Sequence, residues 1–149
     1  MYKLQLGLRG LFLALFVLRG KVRLRESPVR DPRRQVKFDL TTPCSECPFR
    51  ADIRPFLSLA RANEIVGQVV RGDKTFACHK TTGVADGRRV LVKNHQSCAG
   101  AMILVRREGW RNQMYQIAER LGLLDPRGLN MAAPVYSSAK NMIGAHRDA

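Results

Sequence analysis

Four cysteines, spaced Cys44-x2-Cys47-x30-Cys78-x19-Cys98, constrain this chain more than any other feature of its sequence. A two-residue gap lets two thiolates from one tight turn reach the same ion, and Pro43 and Pro48 stiffen that turn. Four cysteines are too few for a disulfide-dense miniprotein and the right number for one metal centre. The expected ligands are therefore Cys44, Cys47, Cys78 and Cys98. His79, next to the third cysteine, is the substitute ligand. Both all four thiolates and three thiolates with one imidazole suit Zn2+. A 4Fe-4S cluster also takes four cysteines, often a close pair and two distant singles, and is the alternative cofactor.

The letters around the cysteines predict a small single α+β domain. Its length of 149 residues fits one domain, and 45% hydrophobic residues are enough for a core. Ser58 to Arg71 reads as a helix, with Ala62, Ile65, Val66 and Val69 at helical spacing, Gly72 as its cap and Gly67 as a weak point. Ser97 is the expected N-cap of a helix over Cys98–Arg107 that places a cysteine at a thiolate-stabilising helix start. Asn112 caps another, whose apolar face is Met114, Ile117, Ala118 and Leu121. Thr75–Cys78 and Val90–Val92 are strand candidates around an Asp86-Gly87 turn. The architecture expected is two or three helices and a short β-hairpin around a four-cysteine metal site.

Charge divides the chain into parts. The net formal charge is +14, from 26 Lys and Arg against 12 Asp and Glu. Residues 1–37 hold ten of those cations against Glu26 and Asp31, a net of +8; residues 38–149 hold sixteen against ten, a net of +6. The first segment also carries the apolar octet Leu11–Leu18. It reads as a disordered tail, a start called upstream of Val36, a basic membrane anchor or a signal-peptide core, although Arg19-Gly20-Lys21 is a poor cleavage site. The expected organisation is a basic segment over 1–37, a cysteine-containing domain over 38–124 and a weakly ordered tail over 125–149. No apolar run approaches the ~20 residues of a membrane span. The expected location is the cytoplasm, with membrane association or export through residues 1–20 as the alternative.

Several chemistries can be tested against the letters. Zinc nucleobase deaminases need H-x-E before P-C-x-x-C, and no H-x-E exists in the chain. A thioredoxin-like dithiol would place a strand over Val36–Leu40 before Cys44/Cys47, but it leaves Cys78 and Cys98 unexplained. Cys78-His79-Lys80-Thr81 is similar to the zinc-knuckle tail of HNH nucleases, without the histidine run that should precede it. A nucleophilic pairing of Cys78 or Cys98 with His95 has no supporting motif. Basic residues point instead to nucleic acid. Arg50, Arg54, Arg88, Arg89, Arg106, Arg107 and Arg111 are the expected phosphate contacts, and Trp110 the stacking aromatic.

Pro43-Cys44-x-x-Cys47-Pro48-Phe49-Arg50, Phe76-x-Cys78-His79-Lys80-Thr81 and Cys98-x-Gly100 together resemble an uncharacterised family of short bacteriophage and actinobacterial proteins. Its members share C-x-x-C-P-[FW]-R, F-x-C-H-K and C-x-G blocks, and the resemblance covers about residues 42–123. It implies that the four cysteines belong together, accompanied by Arg50 and His79. A weaker likeness is to WhiB-like iron–sulfur regulators, whose single cysteine precedes the CxxC pair rather than following it. The function expected is a zinc or iron–sulfur module that binds DNA, RNA, the transcription machinery or a host protein. A thiol redox protein or sensor using Cys44/Cys47 is the alternative.

Overall fold

A computed structural model describes residues 36–148. The readings of residues 1–35 as tail, anchor, signal peptide or upstream start lie outside the described residues. Helix α1 spans Leu59–Val66, and Ser58 caps it by accepting from the Arg61 N–H at 3.3 Å. It buries Ala62, Ile65 and Val66, as its spacing predicts. At Gly67 the helix widens into a π-turn over Gly67–Arg71, which buries Val69 and ends at Gly72. The predicted extent is thus right, and the break in regularity falls on its glycine.

A two-stranded antiparallel hairpin follows, β1 (Gly83–Ala85) and β2 (Arg88–Val90). Asp86 and Gly87 turn it, both at positive φ (51° and 70°), the geometry a two-residue hairpin loop demands. The expected pairing of Thr75–Cys78 with Val90–Val92 does not form. So tight a turn forces the strands to start beside it, in the register Ala85↔Arg88 and Gly83↔Val90. Segment 76–78 pairs with 96–98 instead: Ala77 bridges Ser97, with Cys78 N–H to Gln96 O at 2.8 Å and Cys98 N–H to Phe76 O at 2.7 Å.

Helix α2 (Ala99–Arg107) is the centre of the core, and every residue from Ala99 to Val105 is buried. Its N-cap is Cys98 rather than Ser97, whose buried hydroxyl lies 3.4 Å from the Tyr115 hydroxyl. Helix α3 (Gln113–Arg120) is capped by Asn112, whose Oδ1 accepts from the Tyr115 N–H at 3.2 Å. The predicted apolar face is only partly right. Tyr115 and Ala118 are buried, whereas Met114, Ile117 and Leu121 are exposed.

Residues 125–148 are not the weakly ordered tail that was expected. They form a fourth helix, α4 (Ala139–Arg147), which packs against α1 and buries Met142 completely. Leu129, Ala133, Val135 and Tyr136 also join the core. This segment is tied down by hydrogen bonding rather than by sequence pattern. The Arg107 guanidinium donates to the carbonyls of Met131 (2.9 Å), Ala133 (3.2 Å), Tyr136 (3.1 Å) and Val135. The fold is a small α+β arrangement of four α-helices and one hairpin. Among the described residues, no helix is long and apolar enough to cross a membrane.

Candidate metal centre

Each cysteine sits where the chain begins a turn. Cys44 O accepts from Cys47 N–H at 3.2 Å, and Cys47 O from Arg50 N–H at 3.0 Å, so the CxxC segment is two consecutive tight turns. Cys78 precedes a 3-10 turn over His79–Thr81, and its carbonyl accepts from Thr81 N–H at 2.9 Å. Cys98 opens α2, its carbonyl accepting from Met102 N–H at 3.1 Å. A residue before a turn has the free N–H groups of the next residues beside its side chain. The backbone N–H groups of Glu46 for Cys44, of Phe49 and Gly100 for Cys47, and of Ala101 for Cys98 favour the thiolate.

The cysteines form two near pairs. Cys47 and Cys98 stand 3.4 Å apart, sulfur to sulfur, both buried. Cys44 lies beside Cys78, and its sulfur is also 3.8 Å from Nδ1 and 4.0 Å from Nε2 of His79. His79 therefore leans toward the CxxC turn. Glu46 Oε2 is 3.3 Å from its Nε2, and Lys80 Nζ lies 3.2 Å from the other oxygen of Glu46. All four thiols are free, and among the described residues no three His, Cys, Asp or Glu side chains converge into a ready ligand shell.

The electrostatics follow from crowding thiols in a dry place. Burial, then the charges of Cys47 and Cys78, push the Cys44 thiol up to about 11. The Cys47–Cys98 thiol contact lowers Cys47 and raises Cys98, and burial raises Cys98 further. Backbone donors work in the opposite direction, toward thiolate. Sulfurs that repel one another yet are supplied with N–H groups suit a cation placed among them. The separation of Cys47 and Cys98 is also close to the edge of a zinc–thiolate tetrahedron, about 3.8 Å for bonds of about 2.3 Å. The four thiols are the kind of donor zinc takes, but they stand as two pairs that would have to draw together to form one ligand shell.

Gly100 is a site residue that spacing alone does not explain. A Cβ there would lie 2.5 Å from Cys47 Sγ and 3.0 Å from Phe49 Cβ, so only glycine lets α2 approach the knuckle this closely. The one signal in the sequence is the Cys98-x-Gly100 block itself.

Several of the arginines expected on nucleic acid are engaged within the protein. Arg107 is the staple described above. Arg50 is paired with Asp52 through two hydrogen bonds (2.8 and 2.6 Å) and reaches Cys44 O at 3.4 Å. Arg89 Nη1 donates to His79 O at 2.8 Å. Trp110 is stacked on Tyr115 at 5.6 Å, has the Arg106 guanidinium 5.5 Å over its ring and donates to Glu119 at 2.8 Å. The expected stacking platform is thus engaged in contacts within the protein. Arg54, Arg88 and Arg111 are exposed. His95 Nδ1–H donates to Val92 O (3.0 Å), and His95 has no cysteine partner among the described residues, so no Cys–His95 pair forms there. Compared with protein-family models, curated proteins and solved structures, the chain matches none.

Proposed function

We propose that the chain is a small metal-stabilised binding module that acts in the cytoplasm as a nucleic-acid-binding accessory protein. In this reading Cys44, Cys47, Cys78 and Cys98 hold one zinc ion, with His79 beside them as substitute ligand. The observation that carries it is the 3.4 Å approach of Cys47 to Cys98, with Cys44 and His79 as the neighbouring sulfur and imidazole. That approach favours one ion over a 4Fe-4S cluster, in which each iron takes its own thiolate and the cysteines stand further apart. The resemblance of the three blocks implies that the four cysteines act as one unit, whichever group they hold. Zinc in such a setting supplies folding energy and no chemistry of its own.

The partner reading rests on charge. Dropping the first 37 residues leaves sixteen cations against ten carboxylates over 38–149, an excess that favours an anionic partner. A dithiol redox role for Cys44/Cys47 has less support, because the nearest sulfur to Cys47 is that of Cys98.

Metal analysis with an optical spectrum of anaerobically purified protein tests the first half. One zinc per chain without a visible band is the expected result, and iron with sulfide and a broad visible band would replace zinc by a cluster. Oligonucleotide binding across a salt series tests the second. A steep fall of affinity with salt is expected, and no binding at low salt would remove nucleic acid as the partner.

A further inference from the structure

Beside the cysteine centre, the loop before α1 and the hairpin enclose a cavity of about 360 Å³. Its buried or half-buried members are Pro48, Leu57, Ile65, Phe76 and His79; its exposed members are Phe56, Arg61, Arg89 and Glu46, whose carboxylate is held by Lys80 and His79. Phe56 is 58% exposed and is the one aromatic side chain in the exposed class among the described residues. A solvent-facing phenyl ring loses the benefit of burial unless something covers it. The cations next to it are weakly committed. Arg61 pairs with Glu64 at 2.6 Å, but both side chains are half exposed, so water and salt screen the pair. Arg89 uses only Nη1, toward His79 O and Thr82 Oγ1, and leaves Nη2 and Nε without an acceptor among the described residues.

We infer that this groove is a single-stranded nucleic-acid subsite, in which one unpaired base lies against Phe56 and the adjoining phosphates are met by Arg61 and Arg89. The inference rests on the nucleic-acid reading above and deepens it by naming the strand form and the contact residues. Three features select this occupant. An exposed ring beside cations is the pattern by which proteins hold unpaired bases, since every base offers a flat face to stack on. The cavity lies at the small end of ligand-site volumes, which suits one base and excludes a helix. In a duplex the faces of the bases are already stacked, so a ring at the groove mouth discriminates against it. Arg89 is among the phosphate contacts expected from the sequence, but the aromatic differs: Trp110 is half-buried against Tyr115, whereas Phe56 is exposed.

The test is fluorescence anisotropy with the full metal-loaded chain, using one labelled pyrimidine-rich oligonucleotide alone and as a duplex. Phe56→Ala should weaken single-strand binding about tenfold, with duplex binding changed less than about twofold. Phe56→Trp should retain the wild-type affinity. Arg89→Ala should weaken single-strand binding and lower its salt slope by about one. Metal content and melting temperature of each variant show that it has folded, and an exposed Phe56 gives its substitution little to disturb. If Phe56→Ala and Arg89→Ala bind the single strand like wild type, the groove assignment is wrong while the nucleic-acid reading survives; a hydrophobic peptide then becomes the groove's occupant to test. If wild type binds neither strand form at low salt, both readings fall together.

Discussion

Replacing Gly100 by Ala sets two physical effects of known sign against each other. Gly100 lies in the first turn of α2. On helix propensity alone, Ala there should stabilise the protein by about 0.5–1 kcal/mol. Against this, the new Cβ would sit 2.5 Å from Cys47 Sγ and 3.0 Å from Phe49 Cβ, far inside contact distance. Cys47 and Phe49 are both 0% exposed and have nowhere to move. Overpacking of that kind costs about 1–3 kcal/mol. The steric cost should win, by about 1–2 kcal/mol, lowering the melting temperature by about 4 °C for each kcal/mol. Displacing Cys47 should also weaken the metal site, by about tenfold in a competition titration against a chromogenic chelator. Gly67→Ala is the internal control. Gly67 also has helical dihedrals (φ −57°, ψ −44°), but nothing lies within 4 Å of its added Cβ. That variant should gain stability, by about 0.5–1 kcal/mol, and leave metal affinity unchanged. A Gly100→Ala protein that is stabilised like Gly67→Ala, with wild-type metal affinity, would refute the close approach of α2 to the knuckle.

Two further substitutions probe the rest of the molecule. Arg107→Ala strips one guanidinium from the carbonyls of Met131, Ala133, Val135 and Tyr136; it should cost about 2–3 kcal/mol in urea denaturation, and Arg107→Lys should not restore it, because an ammonium cannot span the same carbonyls. Coincident urea curves for wild type and Arg107→Ala would contradict the staple. Burial pushes the Tyr115 hydroxyl up from its ordinary 10 to about 12, so the unfolded chain loses its phenol proton first. The contribution of Tyr115 is then complete below pH 10 and declines as pH rises toward 12, by about 1.4 kcal/mol per pH unit. Tyr115→Phe should remove that alkaline decline from the metal-loaded protein, and an unchanged slope would show that another group causes it.

What the sequence makes legible is local. Asn112 and Ser58 cap the helices their positions suggest, and Asp86-Gly87 turns its hairpin, because each acts through its own neighbours. The cysteine turns are legible for the same reason. What escapes is decided by residues far apart. The stripe Met114, Ile117, Leu121 has the period of a helix but not the direction of the core, since the core side of α3 is set by Tyr115 packing under Phe38 and Trp110. Residues 129–136 lack any repeating apolar pattern because they are held as irregular chain by Arg107, a contact no spacing rule announces. Arg107 and Trp110 look like surface groups in a basic run, and only the path of the C-terminal segment and the positive φ of Trp110 (57°) turn them inward. Gly100 stood in plain view, but its meaning required the position of Cys47.

The pairing of the knuckle with the far end of the chain orders events during synthesis. Arg50 bridges Val135 in antiparallel fashion, Ala51 N–H reaches Pro134 O at 2.8 Å, and Tyr136 N–H reaches Phe49 O at 3.0 Å. A ribosome adding about 5–20 residues per second makes all four cysteines before residues 134–136 exist. For a second or more the sulfurs are present while the strand beside them is not. The CxxC segment therefore completes its backbone pairing only when the chain is almost finished, and anything that reaches its sulfurs earlier meets them without that cover.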